Sequence, residues 1–275
     1  MPPAVPHGWV TGAPDFVGVG AQRSGTKWWY RAITDHPAVQ RAPGKELHFF
    51  DGYARRQVTE ADVVAYHRML PRPPGLVTGE WTPRYMYDFW TPALLARAAP
   101  DAKILVLLRD PWARCRSGIA HEARVFRREL RGRQGAGLAA TIAGQALSRS
   151  LYAPQLTRLF EVFDRTQVLV LQYERCVVDP EGELRRTYEF LGLEPIGHVP
   201  SRLRERVGHS SGAGPPESDV PSWAAPAIAR DAAELADLVP EIELERWPSC
   251  APTPQRQPFR RFTQADRLPV TPASG

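Results

Sequence analysis

The most constraining stretch of the chain is the apolar run Phe16-Val17-Gly18-Val19-Gly20, which feeds directly into the polar, glycine-containing Ala21-Gln22-Arg23-Ser24-Gly25-Thr26-Lys27. The run has the length and apolar continuity of a parallel strand buried on both faces. After the turn, Trp28, Trp29, Ala32 and Ile33 recur at helical spacing until Asp35, His36 and Pro37 interrupt the pattern. Strand, glycine turn and helix form the opening unit of a βαβ fold. Backbone N–H groups of such a turn, together with the helix N-terminus, make a site for an anion.

The same alternation continues downstream. Leu76 to Trp81 and Lys103 to Leu108 read as strands, with a helix over Pro92 to Ala98 and another from about Trp112. Leu138 to Phe163 reads as one long helix, Gln167 to Gln172 as a strand and Pro180 to Leu191 as a helix with Leu184, Tyr188 and Leu191 on one face. Gly208 to Pro221 reads as a loop, and Ala224 to Leu238 as a helix. The expected fold is α/β, a single domain with a P-loop-like parallel sheet flanked by helices. Expected boundaries are an N-terminal extension over 1–14, the domain over 15–247 and an irregular tail over 248–275.

Composition narrows the function classes less than the motifs do. Lys plus Arg number 35 against 30 Asp plus Glu, and the only lysines are Lys27, Lys45 and Lys103. Arg, Ala and Pro enrichment reads as the signature of a GC-rich, bacterial genome rather than of a nucleic-acid surface, so no nucleic-acid partner is expected. The apolar runs fall short of the ~20 residues that a membrane span needs, and the N-terminus lacks the pattern of a secretory signal. Cys115, Cys176 and Cys250 share no metal-ligand spacing. The expected location is a reducing cytoplasm.

A nucleoside triphosphatase loop would read G-x-x-x-x-G-K-[ST], the hydroxyl serving magnesium. Gly20 and Gly25 have that separation, but Thr26 and Lys27 stand in reversed order and Trp28 follows. The first loop is one of several ordered motifs. Lys45-Glu46-Leu47-His48-Phe49-Phe50-Asp51, Gly79-Glu80-Trp81-Thr82-Pro83-Arg84-Tyr85, and Leu108-Arg109-Asp110-Pro111 with Ser117 follow it, and then come Leu171-Gln172-Tyr173-Glu174 and Phe190-Leu191-Gly192-Leu193. In this order they resemble the sulfotransferases that use 3′-phosphoadenosine 5′-phosphosulfate (PAPS), over about residues 15 to 195. The Lys-Glu-x-His-Phe-Phe-Asp motif resembles the glycan-type members.

The resemblance implies a set of roles. Arg23, Ser24, Gly25, Thr26, Lys27 and Trp28 would hold the 5′-phosphosulfate end, Trp28 falling where cytosolic members stack a Trp on adenine. Arg109 and Ser117 would hold the 3′-phosphate, a bidentate guanidinium with an added hydroxyl; the alternative for Arg109 is an ordinary salt bridge with Asp110. Tyr173 would lie on the cofactor side, and Trp28 and Tyr173 equally fit a core role. Glu46 would be the general base, with His48 and Asp51 holding it. Trp81 and Arg84 would line the acceptor pocket, unless Trp81 is plain core. Arg23 stands where many members have Lys, and its pKa above ~12 makes it a fixed charge. That leaves Lys27 or Lys45 to protonate the leaving phosphate.

The expected reaction moves a sulfuryl group from PAPS to a hydroxyl, ahead of an amine, releases adenosine 3′,5′-bisphosphate and requires no metal. The expected acceptor is a bacterial small molecule or natural product ahead of a saccharide. The run Arg124, Arg127, Arg128, Arg131 and Arg133 is either a solvated face or a landing site for an anionic acceptor. The rival readings are an ATP-dependent P-loop kinase and a non-catalytic nucleotide- or nucleic-acid-binding module.

Overall fold

The protein is described here by a computed structural model, which describes residues 3–129, 136–196, 200, 203 and 220–250, without the side chains of 126–129 and 136–137. Five parallel strands form one sheet: β1 (Phe16–Gly20), β2 (Val39–Arg41), β3 (Val77–Trp81), β4 (Lys103–Leu108) and β5 (Val168–Gln172), in the order β2-β3-β1-β4-β5. The helices are α1 (Thr26–Ile33), α2 (Glu60–His67), α3 (Thr91–Ala98), α4 (Pro111–Glu129), α5 (Ala136–Ser148), α6 (Ala153–Phe160), α7 (Tyr173–Val178), α8 (Pro180–Leu191) and α9 (Ala225–Leu238). No helix among the described residues is long and apolar enough to cross a membrane.

The continuous apolar strands are explained by burial on both faces. Val17, Val19, Ile104, Val106, Leu108, Val168 and Val170 share one cluster with Leu95 of α3, Leu156 of α6 and Leu235 of α9. The alternate residues Phe16, Leu105, Leu107, Leu169 and Leu171 pack on the opposite face with Trp29 and Ile33 of α1 and Leu184 and Tyr188 of α8. Gly18 leaves the space that the Trp81 ring fills, since a Cβ there would lie 2.0 Å from the ring. Connections leave β1 toward β2 on one side and reach β4 on the other. The carboxyl ends of β1 and β4 therefore flank the reversal of strand order, where open α/β sheets bind ligands.

Several features depart from the expected elements, the unanticipated helix α7 among them. The helix expected over Leu138 to Phe163 is broken into α5 and α6, because Pro154 occupies the first turn of α6 and cannot continue a helix from α5. Asp231 of α9 supplies the missing acceptor there, taking the Tyr152 and Ala153 N–H groups at 2.6 and 3.1 Å. Strand β2 and helix α2 were not anticipated. Most of the loop expected over Gly208 to Pro221, and the tail beyond Cys250, lie outside the described residues.

Arg114, in the first turns of α4, is 1% exposed, and Nε, Nη1 and Nη2 have no hydrogen-bond partner among the described residues. Its guanidinium occupies a niche left open by Gly118, where a Cβ would lie 2.1 Å from Nη2. Burial first, then the charges of Arg149 and Arg23, hold its pKa below the ordinary value, against the opposing influence of Tyr152 and Cys115.

Candidate active site

The first loop leaves β1 at Gly20 and is pinned to the neighbouring strand by the Ala21 N–H on the Leu107 carbonyl at 2.9 Å. Arg23 and Gly25 both have left-handed backbones, φ +70° and +90°. Gly25 caps α1, and a Cβ there would come within 2.8 Å of the Tyr173 ring, so a side chain would be strained and obstructed at once. Ser24 is buried beneath the loop. The start of α1 thus presents its free N–H groups beside a cationic wall.

Arg23, Arg109 and Ser117 meet in that wall. Arg23 Nε donates to Ser117 Oγ at 3.1 Å, and Arg109 Nη1 donates to the Arg23 carbonyl at 3.4 Å. The Arg109 guanidinium also lies 5.2 Å over the Tyr173 ring, a cation–π contact. Burial and the charges of Arg124 and Arg109 lower the Arg23 pKa. Asp110 makes no ion pair with Arg109 among the described residues: its carboxylate caps α4 through the Ala113 N–H and accepts from the Ser249 N–H and hydroxyl. Tyr152, not anticipated as a site residue, donates to the Arg109 carbonyl at 2.9 Å.

Trp28 is 8% exposed; its indole N–H donates to the Leu203 carbonyl, and its ring meets Tyr173 edge-on at 6.2 Å. Lys27 is exposed. Lys45 is the lysine turned into the loop, its Nζ donating to Thr26 Oγ1 at 3.3 Å, Glu46 Oε1 at 2.7 Å and the Trp81 carbonyl at 3.1 Å. Burial lowers its pKa, more than Glu46 raises it, which makes the ammonium a stronger acid.

From Lys45 the charges form a chain. Glu46 Oε2 lies 3.3 Å from His48 Nε2, and His48 Nδ1 lies 2.9 Å from Asp51 Oδ2. Arg84 Nε closes the series at 3.9 Å from Asp51 and 2.6 Å from Asp88. His48, like Arg23, has a left-handed backbone, φ +51°, a conformation that costs a non-glycine residue about 1–2 kcal/mol. Trp81 has no exposed surface; its indole N–H donates to the Gly20 carbonyl at 3.1 Å, so it supports the loop from within. Glu80 beside it was quoted in a motif but not given a role, and it is the most buried carboxylate of this region. In the arginine run, Arg124 is placed near Arg23, the side chains of Arg127 and Arg128 are not described, and Arg131 and Arg133 lie outside the described residues.

Comparison with known proteins identifies the family. The sulfotransferase domain family matches residues 13–211. The chain is 33% identical over 195 residues to mouse heparan sulfate glucosamine 3-O-sulfotransferase 3B1, covering 66% of this chain and 47% of that protein. It is also 33% identical over 189 residues to human heparan sulfate glucosamine 3-O-sulfotransferase 6, covering 66% and 53%. The chain thus spans about half the length of these curated relatives. A sulfotransferase structure from Alicyclobacillus acidocaldarius superposes with a TM-score of 0.65 at 26% identity, covering 86% of this chain and 99% of that one. One from Mycobacterium avium shares the fold, with a TM-score of 0.57 at 14% identity over 86% and 79%. The ordered loops, the parallel sheet and the matched domain together make this chain a member of the sulfotransferase domain family.

Proposed function

We propose that the protein transfers a sulfuryl group from PAPS to a hydroxyl acceptor, with Glu46 as the general base. The observation that carries this reading is the convergence of Lys45 on both Thr26 of the first loop and Glu46 of the second, at 3.3 and 2.7 Å. One cation bridges a phosphate-type loop and a carboxylate, the arrangement that sulfuryl transfer needs across a sulfur atom.

The loop residues fit the donor. The α1 N-terminus and Arg23 would hold the phosphosulfate, and Arg109 with Ser117 the 3′-phosphate. Bound there, PAPS supplies the activated sulfur: a new S–O bond to the acceptor forms as the S–O bond to the 5′-phosphate breaks. Glu46 takes the acceptor's hydroxyl proton, while His48 and Asp51 fix its orientation. Lys45 donates to the departing phosphate oxygen, and Arg23, which does not give up its proton, supplies fixed charge.

The names of the relatives at 33% identity specify a glucosamine hydroxyl of a heparan chain, which supports a saccharide acceptor. A saccharide hydroxyl is therefore the first class to test, ahead of bacterial natural products. The decisive measurement pairs turnover with donor binding in Glu46→Gln. Turnover should fall by ~10²- to 10⁴-fold, as for a lost general base, with unchanged affinity for adenosine 3′,5′-bisphosphate. Near-normal turnover would refute the assignment. A larger loss in His48→Ala than in Glu46→Gln would move the base to His48.

A further inference from the structure

The loop that carries Glu46 and His48 is held by a carboxylate with no role in the proposed chemistry. Glu80, at the end of β3, is fully buried and surrounded by donors. Its Oε2 accepts the Leu47 N–H at 3.2 Å and the Thr82 hydroxyl at 2.5 Å, and its Oε1 accepts the Tyr66 hydroxyl at 3.1 Å. The Tyr85 hydroxyl stands beside this set, and burial first, then the Glu80 charge, raises its pKa.

Two of those hydroxyls accept from the loop backbone. The Thr82 oxygen accepts the His48 N–H at 3.3 Å, and the Tyr85 oxygen accepts the Phe49 N–H at 2.9 Å. The successive amides of Leu47 and His48 therefore end on one carboxylate, the first directly and the second through a hydroxyl that accepts from the backbone and donates to Glu80, while the Phe49 amide ends on the neighbouring Tyr85 hydroxyl. His48 lies at the centre of this set with its left-handed backbone. A residue persists in that region only where its surroundings over-determine it.

We propose that Glu80 is the positioning residue of the acceptor-side loop, its carboxylate acting through the Leu47 and His48 amides to hold Glu46 and His48 toward the sulfuryl donor. The proposal rests on Glu46 being the base, and it adds the physical means by which an exposed carboxylate keeps one geometry. Leucine is the informative replacement for Glu80, because it keeps the bulk and removes both oxygens, whereas glutamine could still accept from Leu47 and Thr82 and donate to the Tyr66 hydroxyl. Burial, opposed by these same hydrogen bonds, pushes the Glu80 pKa up to about 7.

Amide hydrogen exchange tests the proposal without reference to activity. In Glu80→Leu, exchange at Leu47 and His48 should accelerate at least tenfold relative to the native protein, while the amides of β4 keep their protection. Calorimetric affinity for adenosine 3′,5′-bisphosphate should stay within twofold, and turnover with PAPS should fall by about tenfold or more, the scale of a displaced reacting group. Thr82→Val, a milder change for use if Glu80→Leu fails to fold, should accelerate His48 and lower turnover, and Thr82→Ser should restore both. Unchanged exchange at Leu47 and His48 would overturn the proposal, as would accelerated exchange with native turnover. If Glu46→Gln keeps native turnover, the base assignment fails, and the exchange result still decides whether Glu80 holds the loop.

Discussion

Arg23 donates its Nε–H to the Ser117 hydroxyl at 3.1 Å, joining the first loop to the second turn of α4. The groups assigned to the two ends of the donor nucleotide are therefore in direct contact, and the Arg109 bond to the Arg23 carbonyl draws the third member in. A phosphate at either end is felt by the same cluster of positive charge.

Arg109→Ala should weaken binding of adenosine 3′,5′-bisphosphate by roughly 2–5 kcal/mol, the range for removing one partner of a desolvated charge pair. The cooperative melt should be retained, because Asp110 caps α4 without help from Arg109. Calorimetry with adenosine 3′,5′-bisphosphate and with AMP separates the subsites: the variant should lose affinity for the first and little for the second. A variant that loses its melting transition would make Arg109 structural.

Arg114→Met should stabilise the ligand-free protein. The native guanidinium is buried without a hydrogen-bond partner among the described residues, and replacing buried ionic groups with apolar residues of similar volume is neutral or stabilising by about 1–4 kcal/mol. Arg114→Lys keeps the charge and should bring no such gain. Thermal denaturation of both variants decides the matter, and a lower midpoint for Arg114→Met would show that the charge has a counterpart.

Stability should decline as pH rises from about 4 to about 7. Burial raises the Asp231 carboxyl to about 6 and the Glu80 carboxyl to about 7. Between the ordinary carboxylate value and the raised one, the folded protein holds more protons than the unfolded chain, so increasing pH favours unfolding. The groups facing Glu80 are Tyr66 from α2, Tyr85, Tyr30 from α1 and Lys45. Denaturant titrations across this range should show the slope, and Asp231→Asn should flatten its portion below pH 6. A stability that instead rises steadily over the range would contradict both assignments.

The sheet's centre was legible in the sequence because β1, β4 and β5 are buried on both faces and so are continuously apolar. The edge strand β2 was not, since Val39 alone of its residues is buried, and α2 buries only Tyr66, which leaves no helical period to detect. The break before α6 has a local sign in Pro154, but its stabilising partner, Asp231, comes from α9. Among site residues, Arg23, Lys45, Glu46, His48, Arg109 and Ser117 stand in recognisable motifs. Glu80 and Tyr152 were assigned no role, because what each does is set by which distant backbone groups arrive beside it.

Trp81 sets a span that the reactants must match. Its indole N–H fastens the Gly20 carbonyl, while its backbone N–H takes the Lys45 carbonyl at 2.7 Å and its carbonyl receives the Lys45 ammonium. One rigid ring wedged against Gly18 is thus a common strut for the loops on either side of the transfer. The gap between those loops is a built-in gauge, independent of what the acceptor looks like farther out. On the proposed reaction, accommodation of different acceptors falls to exposed residues such as Arg84, while the strut between the two loops stays the same.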